Sequence, residues 1–194
     1  FRAEAGLYGI FSDKEQYRLK AYYFQSSRGL PKATTLYNDH SLQQLWDKNT
    51  FVQSQYKKEF SRQWVFQSSA KWNWSYQRYL DPDTPNSKGK TENSYYQQEY
   101  YHSASVLYRM LDNLSFSLST DGSINTMNAN LNEFAQPTRY SWLTAFAGKY
   151  MNDWLTISAS ALATIINEDV KEGGSAGNHR KLTPYISASF KPFY

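Results

Sequence analysis

The sequence predicts an all-β fold of antiparallel up-and-down strands that forms a segment of a transmembrane β-barrel. Three observations predict this fold. Apolar and polar residues alternate along most of the chain. The connections between these segments are short and long in turn, and aromatic residues make up 18% of the 194 residues. Because successive side chains of a strand point to opposite sides, alternation of period two indicates a sheet with one apolar and one polar face.

The alternation is clearest in the segment 64–76. Its even positions are mostly aromatic or apolar, from Trp64 and Phe66 to Trp74, and its odd positions are mostly polar. A helix would spread these rings around its axis, whereas a strand gathers them on one side. Pro184 interrupts a similar segment near the C-terminus and predicts a sheet edge or a bulge, since proline cannot donate to a ladder. The same alternation is found in segments 1–7, 17–23, 114–119, 155–164 and 182–190.

Nine strands are predicted, and the connections between them alternate in length. A membrane barrel has short turns on the periplasmic side and long loops outside. A soluble sandwich with Greek-key links has no reason to sort its loops in this way. The predicted strands lie near 1–11, 16–26, 51–60, 63–78, 94–109, 113–119, 138–151, 153–166 and 181–191. The connections are short at 12–15, 61–62, 110–112 and 152, and long at 27–50, 79–93, 120–137 and 167–180.

Composition agrees with a barrel and excludes several other classes. The mean hydropathy is -0.74, and no stretch approaches the roughly 18 apolar residues of a membrane helix. The 17 Tyr, 11 Phe and 6 Trp gather near predicted strand ends, where interfacial girdles lie. Their alternative role is the core of a soluble sandwich. The absence of Cys excludes disulfides and Cys-based zinc sites. The net charge is +4, and the basic residues are scattered along the sequence, so they do not indicate a nucleic-acid-binding surface.

An odd number of strands predicts an incomplete barrel. A complete bacterial barrel normally has an even number of strands. We therefore expect residues 1–194 to be part of a larger barrel, and we expect the nine strands not to close as a native barrel on their own.

Four short elements carry a family resemblance: Arg-Gly-Leu-Pro at 28–31, Leu-Trp-Asp at 45–47, Phe-Val-Gln at 51–53 and Tyr-Gln-Arg-Tyr-Leu-Asp at 76–81. In this order they resemble the barrel of TonB-dependent outer-membrane receptors of Bacteroidetes-type bacteria. The resemblance covers about the first 80 residues. The chain departs from the family because it shows no plug domain, no energy-coupling box and no remaining strands, and because Lys32 stands where a small residue is usual.

The resemblance implies a nutrient receptor of the bacterial outer membrane. Such a receptor has a barrel of about 22 strands around a plug domain. It imports a scarce nutrient (a siderophore, haem, cobalamin or a glycan) and couples to the TonB complex through the plug. Its implied partners are outer-membrane lipid, the TonB complex and the small nutrient, with no nucleic acid and no cofactor. The alternatives are a soluble β-sandwich or lipocalin-like ligand-binding module and a passive porin segment.

Candidate ligand contacts are Arg28, Trp46, Tyr95 and Tyr96. The three rings suit stacking on a sugar or a flat ligand, and the guanidinium suits an acidic group. The alternative is that the rings anchor loops or belong to a girdle.

No residue pattern indicates an enzyme. None of His40, His102 and His179 has a second His or a carboxylate at a recognised metal-ligand spacing, and no Ser-His-Asp arrangement can be argued. His102 lies within a predicted strand, where a haem-ligand role is the less favoured alternative. Asp81 and Asp83 are predicted to form a turn, with calcium binding as the alternative.

Overall fold

The computed structural model describes residues 1–31, 42–83, 87, 89–171 and 177–191, which form one antiparallel sheet of nine strands in sequence order. The predicted all-β, up-and-down arrangement is confirmed, and the sheet is open. Among the described residues no helix is long and apolar enough to span a membrane. The strands are β1 (Arg2–Ser12), β2 (Glu15–Gly29), β3 (Gln44–Glu59), β4 (Trp64–Asp81), β5 (Thr91–Leu111), β6 (Leu114–Ala129), β7 (Thr138–Met151), β8 (Leu155–Asp169) and β9 (Asn178–Phe190).

The predicted alternation of short and long connections is confirmed. Because neighbouring strands are antiparallel, the short connections all lie at one end of the sheet, the short-turn end, and the longer ones at the opposite long-loop end. The short connections are 13–14, 60–63, 112–113 and 152–154, and the longer ones are 30–43, 82–90, 130–137 and 170–177.

Two strands extend much further toward the long-loop end than the sequence predicted. β3 begins at Gln44 instead of 51, and β6 continues to Ala129 instead of ending at 119. Asp, Gly and Asn are poor strand formers, so the residues after 119 resembled a loop. In the structure Asp121 pairs with β5 and β7 and accepts a hydrogen bond from the Tyr101 hydroxyl at 3.0 Å. Gly122 lies against Trp142, whose ring carbons would be 3.4 Å from an added Cβ. Pairing on both sides therefore overrides the low strand propensity.

The register places every apolar set of the alternating segments on the same side of the sheet. We call this side the apolar face and the opposite side the polar face. Five of the six tryptophans occupy strand positions on the apolar face: Trp46, Trp64, Trp72, Trp74 and Trp142. One row across the apolar face is Leu19, Ser54, Ala70, His102, Gly122, Trp142 and Ile165, and the row beside it on the polar face is Lys20, Gln53, Lys71, Tyr101, Ser123, Ser141 and Ile166.

No second layer covers either face in the described part of the chain. Val65 is the one residue there that is buried. On β7, Trp142 and Phe146 of the apolar face are 55% and 53% exposed, whereas Ser141 and Ala145 of the polar face are half-buried. The large apolar side chains are thus more open than the small polar-face side chains between them, which is the reverse of a soluble core.

The apolar face changes character along the strands. On β8 its apolar residues run from Leu155 to Ile165 and are followed by Asn167 and Asp169. β6 behaves in the same way, with Thr126 and Asn128 following Ile124. The apolar side chains therefore form a band, and the strands become polar on both faces toward the long-loop end.

Pro184 lies in the edge strand β9 without a shift in register. The amide of Lys191 donates to the Trp154 carbonyl and the amide of Glu168 donates to the Gly177 carbonyl, each at 2.8 Å. Hydrogen-bonded and non-hydrogen-bonded pairs alternate along an antiparallel ladder. The Pro184–Ala161 pair is therefore non-hydrogen-bonded, and the proline nitrogen faces the open edge. Of the two predicted alternatives, an edge or a bulge, the structure has the edge.

Candidate functional site

A hollow of about 560 Å³ lies on the polar face near the long-loop end. It crosses strands β2 to β6, and its lining side chains are mostly uncharged and polar. Phe24 and Met127 contribute apolar surface at two of its sides. The remaining polar-face lining residues are Asp47, Asn49, Ser75, Gln77, Tyr95 and Gln97.

Asp47 connects three strands at the rim of this hollow. Its Oδ2 accepts from Arg28 Nη2 at 3.1 Å and from Ser26 Oγ at 3.4 Å, and its Oδ1 accepts from Gln77 Nε2 at 2.9 Å. The Asp47 side chain is only 21% exposed, so its carboxylate is partly desolvated. The Arg28 guanidinium balances the charge of this carboxylate. The site therefore presents little net charge to a ligand.

Amide and phenol groups supply the remaining binding chemistry. Asn49 Nδ2 donates to Asn73 Oδ1 at 3.3 Å, which links β3 to β4 beside the hollow. Gln97 and Tyr95 lie on the next strand, on the same face. Amides both donate and accept, and a phenol does the same, so such a surface suits a neutral ligand rich in hydroxyl or amide groups.

The four predicted contact residues all lie near the long-loop end, but the structure divides them between the two faces. Arg28 and Tyr95 are on the polar face, where Tyr95 lines the hollow and Arg28 forms an ion pair with Asp47 at its rim. Trp46 and Tyr96 are on the apolar face. The described residues therefore do not bring the four together, and their binding role stays a prediction.

Sequence reasoning missed Asp47 and Gln77 as members of the site. Asp47 is part of the Leu-Trp-Asp element at 45–47, which indicated a family resemblance but no binding role. Gln77 lies 30 residues from Asp47 in the chain, so their contact has no signal in the local sequence. The sequence did contain one signal that separates the two faces, namely whether a position along a strand is odd or even. Tyr95 and Tyr96 are successive residues of one strand, so their side chains point to opposite faces.

A cation lies over the ring of Trp46. The Arg78 guanidinium carbon lies 4.8 Å from the Trp46 ring centroid. Arg78 Nη2 also binds Glu92 Oε1 at 2.6 Å, and Lys90 Nζ binds Glu92 Oε2 at 2.9 Å. Hydrogen bonds from Lys90 and then from Arg78 hold the pKa of the Glu92 carboxyl below its ordinary value.

Replacing Arg78 with Gln is expected to raise the pKa of Glu92 toward its ordinary value, because one charge-assisted hydrogen bond is lost. A lowered carboxyl pKa stabilises the folded state above the unfolded-state pKa, and this contribution is lost as pH falls through the folded-state pKa. An NMR titration of the Glu92 carboxyl carbon measures the change. Arg62→Gln, an exposed residue of a short turn, is the matched control. An unchanged Glu92 titration in Arg78→Gln would contradict the contact.

His102 and Asp81 each make a contact with a nearby polar group. His102 Nε2 lies 3.1 Å from Ser68 Oγ on the apolar face, and His40 is outside the described residues. Asp81 Oδ1 accepts from the Asp83 amide at 3.1 Å, which is the predicted turn contact. Within the described ranges no group of three His, Asp or Glu residues could hold a metal ion.

No protein-family model matches this chain, and no curated protein is significantly similar to it.

Proposed function

We propose that this chain is part of the wall of a TonB-dependent receptor in the bacterial outer membrane. Its apolar face would contact lipid, and its polar face would line the interior of a barrel. The observation that carries the proposal is the open apolar face, which gathers the tryptophans and leaves Trp64 45% and Trp142 55% exposed. Exposed apolar surface on this scale marks a binding or membrane surface.

The height of the apolar band supports this placement. On β8 the band runs from Leu155 to Ile165, and on β6 it runs from Leu114 to Ile124. The ten steps between the first and last of these residues, at about 3.3 Å each and tilted by about 40°, rise about 25 Å, which matches the apolar band of an outer-membrane barrel.

Aromatic pairs border the band at both ends. Toward the short-turn end, Trp64 stacks on Tyr108 with ring centroids 4.4 Å apart. Toward the long-loop end, the Tyr76 and Tyr96 centroids are 4.8 Å apart. Rings with an apolar body and a polar tip suit the level of lipid headgroups.

The hollow beside Asp47 is the proposed place of ligand contact. In a barrel with its long loops outside, it would lie on the inner wall near the external entrance. Its neutral amide and phenol groups favour an uncharged polar nutrient, with Tyr95 as a direct contact and Arg28 positioning Asp47. Movement of the nutrient through the interior of the barrel would depend on a plug domain and the TonB complex, as the resemblance implies. A receptor of this kind performs no chemistry on its ligand and is not an enzyme.

Tryptophan quenching tests the lipid-facing surface. The chain is placed in phosphatidylcholine vesicles whose acyl chains carry bromine, and its emission is compared with that in unbrominated vesicles. We expect bromine to remove roughly half of the emission, because five tryptophans share the face proposed to contact lipid. Aqueous iodide is expected to have little effect.

A paired substitution on β7 supplies the control. Trp142→Phe combined with Leu143→Trp moves one indole to the polar face. We expect its quenching by bromine to fall and its quenching by iodide to rise. A chain that is folded and monomeric in plain buffer, with its tryptophans shielded from both quenchers, would overturn the proposal in favour of a soluble β-domain.

A further inference from the structure

The polar face is not uniform across the sheet. From β4 to β8 small hydroxyl residues recur among its side chains, whereas over β1 to β3 rings and cations lie in direct contact with each other. We call the second group the cationic-aromatic cluster. The hydroxyl residues include Ser69, Ser75, Ser103, Ser105, Ser117, Ser119, Ser141, Ser158 and Ser160, and the cluster consists of Arg2, Tyr8, Arg18, Lys20, Tyr22 and Phe51.

Stacked rings hold two of the cations in place. Tyr22 and Phe51 stack with centroids 4.8 Å apart and an angle of 17° between the planes. The Arg2 guanidinium lies 5.3 Å from the Tyr22 ring, and Lys20 Nζ lies 5.9 Å from the Phe51 ring. Cation-π contacts of this kind restrict the cations to positions above the rings.

The charges of the cluster do not balance. Glu4 binds Lys20 Nζ at 2.8 Å and Arg2 Nη2 at 3.1 Å. Arg18 lies 5.2 Å from the Tyr8 ring, and no carboxylate of the described residues is within ion-pair distance of it. Three cations therefore face one carboxylate, and Arg18 is the cation whose charge is not compensated by a described neighbour.

Gly6 opens a space beside Arg18. It pairs with Lys20, and a hollow of about 520 Å³ extends over it, bordered by Glu4, Tyr8 and Arg18. A Cβ on Gly6 would meet only the Leu19 carbonyl oxygen, at 3.7 Å, and the φ of Gly6 is not in the left-handed region. The backbone therefore does not require glycine there, and the effect of Gly6 is the room that its missing side chain leaves.

We propose that this hollow binds the oxyanion group, carboxylate or phosphate, of a small organic solute. The Arg18 guanidinium donates to the oxyanion in a bidentate manner, and Lys20, which shares the single charge of Glu4 with Arg2, adds positive charge from the same face of β2. This oxyanion site lies nearer the short-turn end than the hollow beside Asp47. It requires only that the polar face is in contact with water, so it does not depend on the proposed receptor function.

Calorimetric titration tests the oxyanion site. The whole chain, in the detergent or buffer in which it folds, is titrated with citrate, with inorganic phosphate and with glycerol as the neutral probe. We expect saturable binding of at least one anion and none of glycerol. Arg18→Gln and Gly6→Val, which remove the charge and fill the space, are each expected to weaken anion binding by about tenfold or more.

Two matched variants separate the site from general effects. Lys149→Gln removes a charge from the polar face of β7, and Gly9→Val adds the same side chain on the apolar face of β1, where nothing lies within 4 Å of the new Cβ. Both are expected to bind the anion as the parent does. Binding of citrate alone assigns a carboxylate ligand, and binding of phosphate alone assigns a phosphate ester. The proposal is overturned if neither anion binds, if Arg18→Gln or Gly6→Val binds like the parent, or if either control weakens binding equally.

Discussion

Replacing Ala161 with Arg is expected to lower the free energy of unfolding in phospholipid vesicles by about 2–4 kcal/mol. Ala161 lies on the apolar face midway along the band of β8, between Phe146 of β7 and Pro184 of β9. In the proposed wall a guanidinium at this position would lie near the middle of the bilayer. Neither lipid nor the neighbouring side chains would hydrate or pair the charge.

The neighbouring residue gives the matched control. Ser160 points to the polar face, between Ala147 and Tyr185. Ser160→Arg is expected to change stability by less than about 1 kcal/mol, because the interior side of a barrel wall is hydrated. Urea titration of both variants in vesicles measures the difference. Equal effects of the two substitutions would remove the distinction between a lipid side and a water side.

Replacing Asp47 with Ala is expected to lower stability by about 1–2 kcal/mol, because three hydrogen-bonding partners on two other strands lose their acceptor. The Arg28 guanidinium and the Gln77 amide would then face a hollow without the carboxylate that holds them at 3.1 and 2.9 Å. We also expect greater amide hydrogen exchange at the long-loop ends of β2 and β4. Hydrogen exchange read by mass spectrometry measures this local effect.

Glu59→Gln on the same strand is the comparison for Asp47→Ala. Glu59 forms an ion pair with Lys57 through a side chain that is 35% exposed, so its loss is expected to destabilise the sheet less than the loss of Asp47 does. If the Asp47 and Glu59 variants were equally stable, Asp47 would have no special role in joining the strands.

The sheet was predictable wherever one face is apolar. Between Leu155 and Ile165 apolar and polar residues of β8 alternate at every position except Leu162, and the predicted strand 153–166 agrees with the observed Leu155–Asp169 to within a few residues. Beyond position 119 on β6, Ile124 is the single large apolar residue of the apolar face, so the period of two becomes too weak to recognise although the strand continues to Ala129. There the strand is maintained by its pairing with β5 and β7, which a pattern within one segment does not contain.

The candidate site was less predictable than the sheet for a related reason. The contact between Asp47 and Gln77 depends on the register of β3 against β4. A shift of one residue would place Gln77 on the other face, and the sequence pattern does not fix the register near the polar strand ends. The general region, at the long-loop end, was predictable from Arg28 and Tyr95, because both lie close to the longer connections.

The orientation of Pro184 bears on how the sheet can be extended. A further strand laid beside β9 would find outward amide donors at Leu182 and Ile186, but only a carbonyl at Pro184. The backbone carbonyl oxygen of the added strand that lies opposite Pro184 would have no amide donor. It would lie halfway along the apolar band, where a bilayer offers no water as a substitute donor. The pairing of β9 with any such neighbour would thus be weakest at Pro184, where one hydrogen bond of the ladder is missing.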